Sequence, residues 1–285
     1  MENILEINNI TKKFKTFELK NISFSLTQGS IMGLIGANGA GKTTIISSIL
    51  NIQPIDSGNI NLFGEKHNKL DLREKENIGV VYDENCLPDE LNSWEINKVF
   101  KGIYINWNSD TFGSYLKRLD IPNNKKIKEL SRGNKIKLNL AVAMSHGARL
   151  LILDEITSAL DPIMRNEVLK IFMEFVQDER RSILLSSHIT TDLEKIADYI
   201  TFLDKGHIVF SEEKDLLMYN NIIIRCKNIE YEELDKNGVI ASKKSESGVV
   251  ALAKADLRYY CEEKGLVHEE PTIDEIMLLL SKEDK

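Results

Sequence analysis

One stretch constrains this chain more than any other: Gly36-Ala37-Asn38-Gly39-Ala40-Gly41-Lys42-Thr43-Thr44. It follows a short apolar segment, Ile31-Met32-Gly33-Leu34-Ile35, that reads as a strand. It runs into an amphipathic segment, Thr44 to Leu50, that reads as a helix. Strand, glycine-rich turn, Lys-Thr and helix together form a cradle for phosphate groups. A polyphosphate needs many N–H donors at close range, and glycine lets the backbone curl that tightly without a Cβ clash. The helix N-terminus adds unpaired N–H groups and the positive end of its dipole. Gly36, Asn38, Gly39, Gly41, Lys42, Thr43 and Thr44 are therefore the phosphate-binding candidates. Lys42 supplies a point charge for the β- and γ-phosphates, and the Thr43 hydroxyl a ligand for Mg²⁺. The bland alternative is a glycine-rich turn with no ligand. The pattern arises by accident in about one chain in a hundred of this length, and the flanking strand and helix lower that further. The stretch points to binding of a nucleoside triphosphate.

The rest of the composition narrows the setting. A chain of 285 residues suits one large or two modest domains with a substantial core. Its net charge of −7 argues against a nucleic-acid binder held by a basic surface. No apolar run approaches the length of a membrane span, and the first residues lack the layout of a signal peptide. Any membrane role is therefore expected to come through a partner. Cys86, Cys226 and Cys261 lie far apart with no CxxC, and read as reduced thiols of a cytosolic protein rather than a zinc site.

Along the chain, residues 4–26 alternate apolar and polar, which is strand patterning, and Gln28-Gly29 turns the chain into the phosphate loop. Phe14, flanked by lysines, is either a plain surface residue or a stacking platform. Ile78 to Tyr82 reads as a strand ending at Asp83-Glu84. The period then changes to helical. Asn92 and Glu95 form a capping box for a helix carrying Trp94, Ile96, Val99 and Phe100, and a second helix carries Phe112, Tyr115, Leu116 and Leu119. These aromatics are expected to be the core of a small helical insert. Ser131 is an N-cap candidate for a further helix, in Leu130-Ser131-Arg132-Gly133-Asn134. Leu150 to Leu153 is fully apolar and ends in Asp154-Glu155, the place where ligands of open α/β sheets bind. Carboxylates there could be helix caps, but an upstream phosphate loop favours Mg²⁺ binding. Ser182 to Ser187 is a second buried strand, ending in His188, which taken alone suits a structural hydrogen bond as well as catalysis. After about residue 213 the pattern restarts as a small α/β appendage without catalytic motifs.

In that order, the motifs of roughly residues 3–213 resemble those of the ATP-binding subunit of an ABC transporter. Gly36 to Thr43 matches the Walker A motif and Leu150 to Glu155 the Walker B motif. Leu130 to Asn134 sits where the family has its LSGGQ signature. Ser158-Ala159-Leu160-Asp161 resembles the D-loop, His188 the switch histidine, and Phe14 the adenine-stacking aromatic, a contact worth about 1–3 kcal/mol. The resemblance implies an α/β fold: a P-loop NTPase core with a mixed sheet, an antiparallel β subdomain and a helical insert at about 84–147, together spanning 1–213. Residues 214–285 would form the C-terminal α/β accessory domain.

The resemblance also implies a mechanism shared by two chains packed head to tail, each ATP lying between one P-loop and the other chain's signature helix. Ser131, Arg132 and Gly133 would then face a neighbour's γ-phosphate. Thr43, Asp154 and Asp83 would serve Mg²⁺, and Glu155, His188 and Lys42 would be the catalytic group. Two departures from the family pattern stand out. Asp83 occupies the position where the family usually has glutamine, and in the signature Arg132 replaces the first of two glycines and Asn134 the final glutamine. Arg132 could act on the γ-phosphate as an arginine finger, or point away and bind a carboxylate of its own surface. With its single ATPase domain, the variant signature and the closing segment Glu270 to Ile276, the chain looks most like bacterial two-component exporters of peptides, antimicrobials or lipids. The membrane-spanning permease is there a separate polypeptide, which would hold this subunit at the cytoplasmic face of the cell membrane. Two other readings compete. One is a soluble ABC-type ATPase acting on ribosomes or DNA, whose tandem ATPase domains, coiled coils or zinc motifs are missing here. The other is a nucleotide-gated regulatory module, which the intact Glu155 and His188 argue against.

Overall fold

Apolar residues at every second position make the first strands, and a computed structural model, describing residues 2–281, places them in a four-stranded antiparallel sheet. β1 (Asn3–Lys13) pairs with β2 (Glu18–Thr27), matching Ile7 to Phe24 and Ile10 to Ile22. β3 (Ile31–Ile35) then enters a second sheet, and α1 (Lys42–Ile49) follows the glycine-rich turn. The chain returns through β4 (Ser57–Leu62), which flanks β1 on its other side, and β5 (Glu65–Lys66). The sheet order is β2-β1-β4-β5.

A short helix α2 (Leu72–Lys75) leads to β6 (Ile78–Val81) and then to three helices, α3 (Ser93–Ile103), α4 (Ser109–Arg118) and α5 (Arg132–Met144). The Asn92–Glu95 capping box is present, and Ser131 caps α5 by accepting from the Asn134 N–H. The expected core of these helices needs a correction. Ile96, Phe112, Leu116 and Leu119 are buried, but Trp94 is 60% and Val99 42% exposed. Trp94 stands two positions from Ile96 and so on nearly the opposite side of α3, and the face that buries Ser93 and Ile96 leaves Trp94 and Val99 exposed. The expected Phe100 and Phe112 do cluster, joined by Tyr104 and Trp107, with Tyr104 stacked on the buried His146 ring at 4.2 Å.

The chain continues as β7 (Leu150–Asp154), α6 (Pro162–Phe175), β8 (Ser182–Ser186), α7 (Thr190–Ile196), β9 (Tyr199–Asp204) and β10 (His207–Glu213). The second sheet has the order β10-β9-β3-β8-β7-β6, and the β9–β3, β3–β8, β8–β7 and β7–β6 pairs are all parallel. Every residue of β3, β7 and β8 is buried, as apolar runs covered on both faces must be. One consequence decides where chemistry can happen. Strands β3, β6, β7 and β8 point the same way, so the phosphate loop, Tyr82-Asp83, Asp154-Glu155 and Ser187-His188 all leave the sheet at its C-terminal edge.

The chain divides into two compact units, Met1–Ile208 and Val209–Lys285, with β10 running across the division; the boundary expected after residue 213 lies at that strand's end. The second unit holds α8 (Lys214–Tyr219), β11 (Asn221–Cys226), α9 (Asn228–Glu233), β12 (Val239–Ser245), β13 (Gly248–Lys254), α10 (Arg258–Lys264), β14 (Val267–Glu269) and α11 (Ile273–Leu280). Its last four residues, 282–285, lie outside the described residues. The strands form an antiparallel sheet, β12-β13-β11-β14. Ile222 and Ile224 pack on one face with Tyr231, Leu257 and Cys261, while Ile223 packs on the other with Leu217, Ile276 and Leu279. Apolar residues on both faces explain the unbroken Ile222-Ile223-Ile224 run.

Candidate active site

The loop between β3 and α1 is tight because its glycines permit close approach. A Cβ at Gly36 would lie 2.3 Å from the Leu203 carbonyl oxygen. Gly41 has φ 114°, and a Cβ there would lie 2.6 Å from the Leu19 side chain and 2.8 Å from the Phe17 ring. Asn38 and Gly39 stand exposed at the crown of the loop. The helix starts at Lys42, two residues earlier than the sequence pattern suggested, so Lys42, Thr43 and Thr44 all belong to its first turn.

Lys42 reaches back into the loop. Its ammonium donates to the Gly36 carbonyl at 2.8 Å and lies 3.1 Å from Glu155 Oε1, with the side chain only 6% exposed. Thr43 Oγ1 donates to Asp154 Oδ2 at 2.9 Å, and the Ser186 hydroxyl donates to Asp154 Oδ1. The Asp154 charge, together with burial, raises the Tyr82 phenol above its ordinary pKa, burial being the larger cause. Glu155 sits in the left-handed backbone region at φ 56°, a conformation uncommon for a side-chain-bearing residue. Two contacts hold it there: its N–H donates to the Ser186 carbonyl at 3.1 Å, and its carbonyl accepts from Ser158 Oγ at 2.8 Å. The carboxylate thereby projects between Lys42 and His188, whose Nδ1 lies 2.5 Å from Oε2.

Around this centre, Phe14 is 44% exposed on the turn between β1 and β2, where its N–H donates to the Phe17 carbonyl. Its ring lies 6.3 Å from that of Phe17, which packs on the phosphate loop at Gly41. The first turn of α5 packs on the segment after Glu155, a Cβ at Gly133 coming 3.1 Å from the Ala159 carbonyl oxygen. The two departures from the family pattern find each other. The Arg132 guanidinium donates to both carboxylate oxygens of Asp83, from Nε at 3.1 Å and from the outer nitrogen to the second oxygen. Asp83, expected beside a metal, thus has its hydrogen bonds with Arg132 rather than with Thr43 or Asp154. Three supporting residues escaped the sequence reading. Ser186 is a hydroxyl at the end of an apolar strand, the only local signal for its bond to Asp154. Arg165 braces the turn after Glu155 through the Thr157 and Leu160 carbonyls, each at 3.2 Å, and Tyr82 directly follows β6, its phenol influenced by the Asp154 charge. Neither carries a local motif.

The donor set suits a magnesium ion. The Thr43 hydroxyl and the Asp154 carboxylate are hard oxygen donors already in contact beside a phosphate cradle, and Mg²⁺ sites commonly pair one or two such protein oxygens with phosphate.

Comparison with known proteins gives the same family for this geometry. Residues 19–158 match the family described as ABC transporter. A lantibiotic transport ATP-binding protein of Streptococcus pyogenes is 33% identical over 215 residues, covering 74% of this chain and 92% of that protein. The ABC transporter ATP-binding protein YtrB of Bacillus subtilis is 30% identical over 252 residues, covering 83% and 84%. A bacitracin transport ATP-binding protein of Enterococcus faecalis is 29% identical, covering 87% and 79%. Among solved structures, a dimeric bacterial ABC transporter cassette superposes with a TM-score of 0.66 at 21% identity, covering 73% of this chain and 98% of that one. It shares the fold. The chain belongs to the ABC transporter family, as one of its ATP-binding and ATP-hydrolysing subunits.

Proposed function

We propose that this subunit drives export of an antimicrobial, a peptide antibiotic or a compound handled like one, through a separate multi-span permease. The relatives' names support the cargo class, since they are ATP-binding proteins for lantibiotic transport, bacitracin transport and linearmycin resistance. Among the described residues no helix is long and apolar enough to cross a membrane. In this reading the permease is a separate chain, and this subunit sits on it at the cytoplasmic face. A second ATPase subunit packs head to tail against it, either a second copy or a homologue.

The observation that carries the reading is Glu155 poised between Lys42 and His188. Incoming triphosphate competes for Lys42, because a phosphate offers the ammonium more charge than one carboxylate does. Glu155 is then left with His188, where it orients the attacking water and accepts its proton. His188 keeps the carboxylate in place and contacts the γ-phosphate. Thr43 and Asp154 would hold Mg²⁺, which when bound offsets charge on the phosphate oxygens. Gly36, Asn38, Gly39, Gly41 and Thr44 surround the phosphates, and Phe14 stacks on the base. Ser131, Arg132 and Gly133 face the partner's nucleotide.

Affinity capture tests the membrane role. Tagged Glu155→Gln protein with ATP, incubated with detergent-solubilised membranes of its host, should retain a multi-span protein identifiable by mass spectrometry. Retention of ribosomal or DNA-bound proteins instead would replace the exporter with a soluble ABC-type ATPase.

A further inference from the structure

We propose that Asp83 is a positioning residue for Arg132, holding its guanidinium until the triphosphate bound by a second copy of this chain takes it over. The proposal rests on the head-to-tail reading above, in which Arg132 faces a neighbour's γ-phosphate. Asp83 leaves the C-terminal end of β6 and Arg132 is the first residue of α5, and both carboxylate oxygens are engaged by the guanidinium fork. Bidentate pairing of this kind is directional, so it fixes where the guanidinium sits and not only its charge. The same fork fits a phosphate equally well.

The pair is built to exchange. The Arg132 side chain is 65% exposed and that of Asp83 34%, and exposed pairs are weak because water and salt screen them. A triphosphate presented beside the same guanidinium carries several negative charges against one. Arg132 therefore passes from Asp83 to the partner's phosphate without leaving a buried charge behind. Asp83 is released as that happens. While the pair is intact, closure of the two chains has a competitor, and the ATP concentration needed for closure is set higher than Arg132 alone would require.

The test is ATP-dependent pairing of the full chain in the Glu155→Gln background, followed by sedimentation across an ATP–Mg²⁺ titration. Adding Asp83→Asn should lower the half-saturating ATP concentration about two- to fivefold, and Asp83→Glu should restore the parent value. Adding Arg132→Gln should raise it. The combined Asp83→Asn, Arg132→Gln chain should behave like Arg132→Gln, since Asp83 then has nothing to hold. An unchanged or higher requirement in Asp83→Asn overturns the proposal, as does a combined variant that falls midway between the two. A parent that binds ATP yet stays monomeric also overturns it, while leaving the ATPase reading intact. A parent that fails to bind ATP overturns that reading instead.

Discussion

Glu155 and His146 show how differently two ionisable side chains can be used within one fold. Glu155 is held by its backbone in an uncommon conformation so that its carboxylate meets a lysine and a histidine in a partly open site. His146 is enclosed: Tyr104 covers its ring face, and its two nitrogens face the Val142 and Ile78 carbonyl oxygens at 3.2 and 3.3 Å. Those carbonyls and the Glu76 charge favour the protonated ring, but burial outweighs them and holds the pKa below the ordinary histidine value. His67 is shifted the same way, again chiefly by burial. The sign of the pH effect follows. The folded protein resists protonating these rings and the unfolded chain does not, so their contribution is present above the ordinary histidine pKa and is lost as pH falls below it. Stability should decline between about pH 7 and pH 5.5, with one histidine adding a slope of up to about 1.4 kcal/mol per pH unit. Denaturant unfolding of His146→Phe across that window should show a shallower slope than the parent. An identical slope would mean that the ring is not the titrating group.

At the scale of elements, legibility followed the strength of the periodic signal. β3, β7 and β8 were readable because burial on both faces demands unbroken apolar runs, and the catalytic candidates stand at the ends of those runs. β12 and α9 were not. β12 lies at a sheet edge and carries Ser242-Lys243-Lys244-Ser245, the polar composition by which edges avoid further pairing. α9 is a single short turn-and-a-half, Asn228–Glu233, with little apolar content. Trp94 misled in another way: two positions from Ile96, it stands nearly opposite that residue on the helix capped by Asn92 and Glu95. That cap gives a direct test. Asn92 accepts from the Trp94 and Glu95 N–H groups, and its own N–H donates to Glu95. Asn92→Ala should cost about 0.5–2 kcal/mol in chemical denaturation while leaving ATP affinity unchanged, since Asn92 belongs to none of the phosphate-contacting segments. A loss of ATP affinity without a loss of stability would contradict the structural role assigned to α3.

For the whole molecule, the decisive feature is that segments far apart in sequence meet at one edge of one sheet. Thr43 reaches Asp154 across a separation of 111 residues, and Glu155 meets His188 across 33. Parallel strands deliver these segments to one edge, where Lys42, Asp154, Glu155 and His188 lie together; in the sequence their grouping came from the resemblance to the family. Arg132 and Asp83 are 49 residues apart, and no strand register dictates their contact. The sequence left both fates of Arg132 open, and the folded chain joins it to Asp83. What the assembly does with this edge is hydrolyse ATP, and the role given to Glu155 is the claim on which the account turns. The most direct measurement is single-turnover hydrolysis of ATP with Mg²⁺ by the assembled complex, alongside equilibrium ATP binding, for the parent and Glu155→Gln. The expected result is retained ATP binding with hydrolysis slowed about 10²–10⁴-fold. Hydrolysis at the parent rate by Glu155→Gln would remove Glu155 from the chemistry and contradict the site built here around it.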